Sequence, residues 1–467
     1  MMRTLPAGRS IGVAVLAMLM ASGCATFSQD GGFNTVNQLT QQRLDKDVRL
    51  IKSAEDEQSL KTLIAEQLKQ PLSVDAAVQI ALLNNRGLQA TYASLGLAEA
   101  DLVQAGRLQN PTFGFKHTRG GDDVVIERTL TFNLLRLLTA PLASRIEASR
   151  FAQTKLLVAD AALKVAAATR RAYFEAVAAQ QSVMYAEQVA ASAAAGAELA
   201  TRMAGAGNWS KLDLLREQAF YVDATSTVGR NVKESINARE QLTRLLGLTA
   251  TDAQYTLPDR LPDLPATPLD LPQVEQLAIS ERLDIQAAQL QLKETATALG
   301  LTKATRFINV LDLGAVRNSA SGQPSAPGYE LTVEIPLFDW GSSRVVRAEA
   351  SYLQVANRVA EAAVNARSEA RESYLGYRTA YDLAKHYRDQ VLPLRKRVAN
   401  EMQLRYNGML ISVFELLADA RDQATAANGY IAALKDFWIA DSNLQAALGG
   451  RLPIASDKTN NPSGATP

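Results

Sequence analysis

Two carboxylate pairs at helical spacing are the residues of this chain most able to act on a solute. Asp213 and Glu217, and again Glu415 and Asp419, lie four residues apart, so each pair shares one face of a helix. Carboxylates gathered around an axis select or hold cations, whereas the same pairs on a solvated helix face have no chemical task. Spacing alone leaves both readings open. Other chemistry has less to stand on. His117 and His386 are the two histidines and fall in different segments, and Cys24 is the single cysteine, so no soft metal-ligand cluster can be assembled and no cofactor is expected. No Ser/His/Asp arrangement points to nucleophilic catalysis, although paired carboxylates are too common to exclude an exported hydrolase. Gly205-Ala206-Gly207 follows a helical pattern and lacks the third glycine of a nucleotide loop. Lys and Arg number 49 against 48 acidic residues, a net charge of +1, which leaves no basic excess for nucleic-acid phosphates.

The carboxylate pairs sit just after two helix breaks, where Gly205, Gly207 and Gly408 read as turn formers, since helix ends often need a positive φ. Long helical patterns run into these breaks, over 142–203 and 342–406, and return helices leave them, over 212–246 and 411–448. The first long helix would be about 93 Å at a rise of 1.5 Å per residue. The second contains Pro393, which removes a backbone hydrogen bond and should kink or divide it. Alanine-rich, aromatic-poor composition (6% aromatic) suits such helices.

These helices belong to a repeat. Phe151–Ala179 aligns with Tyr352–Ala380 at an offset of 201, matching Gln153 with Gln354, Arg170 with Arg371 and Tyr173 with Tyr374. A solenoid unit has roughly 20–50 residues, so each half is a whole structural unit. The expected organisation is a lead over 24–70, polar and of low pattern content, a first repeat over 71–256, a proline-rich connector over 257–272, a second repeat over 273–454 and a disordered tail over 455–467. Each repeat carries two strand-like runs, 112–118 and 124–134 in the first, 308–316 and 329–338 in the second.

Residues 1–23 read as an export signal: Arg3 and Arg9 precede the apolar run Ile11–Ala21, too short to span a bilayer. Ala21-Ser22-Gly23-Cys24 resembles the cleavage motif of bacterial lipoproteins, which implies a lipid on Cys24, palmitate included. Ala21 departs from the usual leucine there, and secretory cleavage with a free cysteine is the alternative. Ala25 carries no inner-membrane retention signal, so outer-membrane sorting is implied.

The strands then pose a closure problem. Tyr329, Leu331, Val333, Ile335 and Leu337 alternate with polar or small partners, and Val124, Ile126, Leu130 and Phe132 do the same, with Arg128 on the apolar face. Such alternation fits a transmembrane barrel strand, and equally a half-buried soluble strand. Four strands cannot close a barrel, and open edges are not tolerated in lipid, so a membrane reading forces oligomerisation.

The chain resembles the TolC-like outer-membrane efflux proteins across nearly all of its mature length. The resemblance rests on Pro71-Leu72-Ser73-Val74-Asp75-Ala76-Ala77, Asn84-Asn85, Gln104-Ala105-Gly106 with Asn110-Pro111, and Glu334-Ile335-Pro336-Leu337-Phe338-Asp339-Trp340-Gly341. The helix breaks fit too, each placing Asp213 or Glu415 before Leu-Leu. The resemblance implies a mainly α fold with a small membrane β-barrel. Three chains, four strands each, would complete a 12-stranded barrel and a long α-helical tunnel through the periplasm. It implies a passive duct for metal ions or drugs, working with a periplasmic adaptor and an inner-membrane transporter of the RND type. Leu134-Leu135-Arg136-Leu137-Leu138 before Pro141-Leu142 looks more like heavy-metal members than drug-pump partners. The breaks become the periplasmic tip, where three copies of Glu415 and Asp419 would give six carboxylates around one axis. The alternative is a periplasmic helical scaffold or adaptor-like lipoprotein without a pore.

Overall fold

A computed structural model describes residues 26–249 and 254–450. The signal segment, Cys24 and the tail over 455–467 lie outside the described residues. Helices α1 (Phe33–Leu44), α2 (Ala54–Gln67), α3 (Val74–Asn84) and α4 (Arg86–Gly106) precede strands β1 (Thr112–Gly120) and β2 (Asp123–Asn133). Helix α5 (Leu134–Gly205) turns back as α6 (Lys211–Leu246). The order then recurs: α7 (Val274–Glu281), α8 (Leu283–Thr305), β3 (Leu311–Ala320), β4 (Ala326–Val333) and α9 (Ser342–His386). A π-helical turn (Tyr387–Val391), α10 (Leu392–Asn407) and α11 (Val413–Ala447) complete the series. Two compact units emerge: Met1–Val36 with Tyr92–Val158 and Leu283–Ala363, and Asn37–Thr91 with Ala159–Arg282 and Val364–Pro467.

The first unit holds a single antiparallel sheet in the order β1-β2-β3-β4. The two hairpins meet along β2 and β3, where Asn133 pairs with Asp312 and Val125 with Ala320. In the same unit, Arg150 of α5 grips the buried Glu294 of α8 through Nε at 3.1 Å and a terminal nitrogen at 2.9 Å. The lead segment is held here as well: Ser28 donates to Glu99, and Phe33 meets Tyr92 edge-on at 5.2 Å. Burial raises the Tyr92 hydroxyl pKa.

The second unit is built around an aromatic core. Phe174 of α5 stacks on Trp438 of α11 at 5.2 Å, and Phe437 contacts Tyr377 and Tyr381 of α9 at 5.4 and 5.8 Å. The proline-rich connector is tied down because the long helices supply its missing partners. Tyr381 donates to the Ala266 carbonyl at 2.8 Å, Tyr377 accepts from the Leu269 amide at 3.0 Å, and Trp438 donates to the Pro262 carbonyl at 3.0 Å. Tyr173, donating to the Leu72 carbonyl, has its pKa pushed up to about 12 by burial.

Burial recurs at a fixed spacing in the two return helices. At an offset of 202, Glu217 and Asp419, Ala224 and Ala426, Leu242 and Leu444, and Leu246 and Leu448 are buried alike. The first return helix also ends against the break in the first helix pair. At Gly247, with φ +68°, an added Cβ would come within 2.4 Å of the Asn84 carbonyl oxygen, so a side chain there meets both strain and backbone.

Several expected boundaries move. Within the low-pattern lead, residues 26–70 carry two helices: Ser53 caps α2 by accepting from the Asp56 amide, three acidic residues occupy its first turn, and Leu60 and Ile64 anchor it in the core. Helix α5 begins before Pro141, because Asn133 caps it by accepting from the Arg136 amide at 2.6 Å. β3 starts at Leu311 rather than 308, since Ile308 closes the turn after α8 onto Thr305. β4 stops at Val333, short of Pro336, and begins at Ala326 inside a stretch that reads as loop. An edge strand tolerates Pro327 and Gly328 because its outer amides need no partner in the chain. The second long helix is divided by the π turn just before Pro393, whereas α5 runs on uninterrupted.

One buried acid yields a pH prediction. Gln445 donates to Asp441 at 2.7 Å and is itself held by Arg170. Burial raises the Asp441 carboxyl, against the opposing pull of Gln445 and Arg170. A carboxyl raised by folding costs stability when ionised and nothing when protonated in both states. Asp441→Asn therefore raises the melting temperature at neutral pH. That gain shrinks as pH falls through the raised value and disappears below the ordinary 3.8. Thermal unfolding of both proteins between neutral and acid pH checks this; a gain that does not vary with pH contradicts it.

Candidate functional site

Two regions have functional geometry, one in each unit. In the second unit, α5 ends in a turn where Gly207 adopts φ +78° and the Asn208 amide returns to the Met203 carbonyl at 2.9 Å. Gly205 is still helical, and Gly408 sits at φ −80°. At the second turn the left-handed residue is Met409, at φ 57° and almost fully exposed. Of the three glycines read as turn formers, only Gly207 has the positive φ that requires one. A side chain at Met409 carries a strain of about 1 kcal/mol.

The four carboxylates divide into two roles. Asp213 accepts from Ser210 Oγ at 2.7 Å while its amide donates to the same hydroxyl, and Arg216 lies 3.3 Å away. Glu415 completes a capping box, accepting from the Ser412 amide at 2.9 Å. Both are helix caps. Glu217 is 1% exposed and ion-paired with Arg421, whose guanidinium lies 4.4 Å over the Phe220 ring. Asp419 is 6% exposed and accepts from Gln423 at 2.8 Å. The expected open face pairing Glu415 with Asp419 is thus split between a cap and a buried acceptor, because the first turn of a helix consumes nearby acids. The structure instead joins the two repeats through Glu217 and Arg421. Gly196 of α5 lies beside the pair, and a Cβ there would make ordinary contact, 3.6 Å from both Glu217 and Leu417. In the sequence, Arg421 is legible only as a cation two residues beyond Asp419.

In the first unit, cross-strand register gathers residues by chemistry. One face carries Phe113 and Phe115 of β1, Ile126, Leu130 and Phe132 of β2, Leu311 and Leu313 of β3, and Tyr329, Leu331 and Val333 of β4. The other carries Lys116, Glu127, Thr129, Thr131, Asp312 and Glu330. Phe113, Phe115, Leu313, Tyr329 and Leu331 are all exposed in the single chain. Among the described residues no helix is long and apolar enough to cross a membrane, and no group of three or more His, Cys, Asp or Glu could hold a metal ion. The sheet, apolar on one face and polar on the other, is the element with a lipid-compatible surface.

Comparison with known proteins agrees with this geometry. Residues 274–450 match the family model described as outer membrane efflux protein. The cobalt-zinc-cadmium resistance protein CzcC of Cupriavidus metallidurans is 25% identical over 277 residues, covering 58% of this chain and 64% of the relative. The chain thus spans less than two thirds of that relative's length. The CusC structure superposes with a TM-score of 0.66 at 17% identity, covering 80% of this chain and 92% of that one. The outer membrane channel CmeC of Campylobacter jejuni gives 0.68 at 18% identity, covering 82% and 87%. At such identities the solved structures establish the fold: mostly helical, with four strands in one sheet. In fold the chain is thus similar to solved outer membrane efflux channels, and over residues 274–450 its sequence matches the outer membrane efflux protein model.

Proposed function

We propose that this chain is the outer-membrane channel of a tripartite efflux system, assembled as a homotrimer. The observation that carries the reading is a contact made once inside the chain and left unmade at its symmetry-equivalent place. Helix α5 covers α11 through Phe174 on Trp438 and Gly196 beside Leu417. The equivalents of Phe174 and Trp438 in the other repeat are Leu375 on α9 and Ile236 on α6, each 57% exposed. Ile236 continues a seam of Leu215, Val222 and Gly229, spaced by seven residues and open to solvent. The sheet has the same gap: β2 pairs with β3 between repeats, while β4 and β1 end in free edges. Repeating the internal contacts between copies closes both rings at once. Two copies would give an eight-stranded barrel, whose interior side chains fill; three give twelve strands and room for a duct.

The apolar sheet face then meets lipid and the Thr, Glu and Asp face lines water. The protein is thereby located in the outer membrane with its helices in the periplasm, anchored additionally by lipid on Cys24. Conduction is passive, needs no catalytic group, and draws energy and substrate from a periplasmic adaptor and an inner-membrane RND-type transporter. The turns at Gly207 and Met409 are the pump-facing tip, and the Glu217–Arg421 pair holds it narrow. CzcC, by name a cobalt-zinc-cadmium resistance protein, favours divalent metal ions as cargo over drugs. The purified trimer in a planar bilayer should give discrete single-channel currents. Correctly trimeric protein that yields none defeats the duct reading in favour of the poreless scaffold.

A further inference from the structure

Arginines and a histidine interrupt the apolar face of the sheet only toward the β1–β2 turn, and this face carries no carboxylate. Arg128 of β2 and Arg317 of β3 are direct cross-strand partners, in one row with Phe115 and Pro327. His117 and Arg119 lie on the same face, nearer the β1–β2 turn, opposite Ile126 and Val124. All strand carboxylates (Asp123, Glu127, Asp312 and Glu330) are on the opposite face, as the alternation of the pairs requires. Arg317 donates through Nε to Ser325 at 2.9 Å. Among the described residues no carboxylate pairs with Arg119, Arg128 or Arg317.

Like charges placed directly opposite each other weaken a sheet, so this row is uncompensated within the chain. Its height suggests what compensates it. From Arg128 to the end of β2 at Asn133 the face is apolar for about 17 Å, at ~3.4 Å per residue. Beyond the ends of β2 and β4 the chain exposes further large apolar side chains, Leu137, Leu138, Ile335, Leu337 and Phe338. The apolar band of a membrane barrel is about 25 Å tall, which brings the arginine row to its far edge, at the level of lipid headgroups. Guanidinium groups bind phosphate bidentately and hold it better than a lysine would. We propose that Arg128 and Arg317, flanked by Arg119 and His117, bind the phosphate of an anionic lipid headgroup in the outer leaflet. The inference rests on the channel reading, because only a lipid-facing sheet brings a headgroup to this row.

The test uses full-length trimer reconstituted in phosphatidylcholine vesicles with and without a fraction of phosphorylated lipid A. Lipid A retained after detergent extraction is counted by native mass spectrometry, and wild-type conductance is recorded from the same preparation. The Arg128→Gln/Arg317→Gln protein should retain at least about tenfold less lipid A, while Lys116→Gln, on the other face, retains it as wild type does. Millimolar inorganic phosphate should not displace the lipid. Equal retention by the double variant, from wild type that conducts, overturns the inference alone. Full displacement by inorganic phosphate makes this a free-phosphate site and likewise overturns it. Wild type that neither inserts nor conducts removes the channel reading, and this inference with it.

Discussion

Aspartates at Val222 and Ile236 together should leave each chain folded and abolish its assembly. Both side chains are largely exposed in the single chain, so the substitutions remove no core packing. In a closed ring the same positions would lie in a dry seam against the α9 surface bearing Leu375. A carboxylate buried there without a partner costs several kcal/mol, and a trimer repeats the cost at three seams. Sedimentation should find the wild type as a trimer and the variant as a monomer with unchanged helical circular dichroism. A variant that still sediments as a trimer places the interface elsewhere. A monomer that has lost its helical signal shows instead that the seam belongs to the chain's own core.

Replacing Arg421 by methionine should destabilise the end of the helical hairpins by about 3–5 kcal/mol, because Glu217 stays buried with its partner gone. Glu217 is almost without solvent contact, between α5 at Gly196 and the ring of Phe220 under Arg421. The informative comparison is the double variant Glu217→Leu/Arg421→Met. Exchanging the whole pair for apolar groups removes the uncompensated charge, so most of the loss should return. Hydrogen exchange of amides in 196–220 and 412–425 reads the local stability directly. If both variants exchange alike, the pair is not what holds these helices together. Under the proposed function the single variant also lengthens open times in the planar bilayer, and the double variant does so less.

Much of this molecule can be read from local rules. Ser73, Ser210 and Ser412 announce helix starts, Gly207 announces a turn, and Pro393 forbids an unbroken second long helix. The hairpin alternation likewise identifies which side chains share a face, because the strand period of two is intrinsic to the pleat. The ends of β3 and β4 are less accessible. Their limits follow from pairing with β2 and from the tolerance of an edge strand for Pro327, neither of which is a local property. The lead helix α1 escapes local rules for a related reason: it has no acidic first turn and buried Val36 helps anchor it, so packing rather than periodicity selects the helix, whereas the Ser53 cap and acidic first turn of α2 are local signals.

The carboxylates mark the same division most sharply. Their spacing on a helix face is a consequence of 3.6 residues per turn, so sequence alone determined that Asp213 and Glu217, or Glu415 and Asp419, are neighbours. It also determined that the chain carries four strands. Which carboxylate is a cap, which is buried, and that Arg421 crosses from one repeat to Glu217 in the other, only the tertiary structure decided. The physical reason is that burial and ion pairing depend on what approaches from distant parts of the chain, and a single helix carries no record of its neighbours.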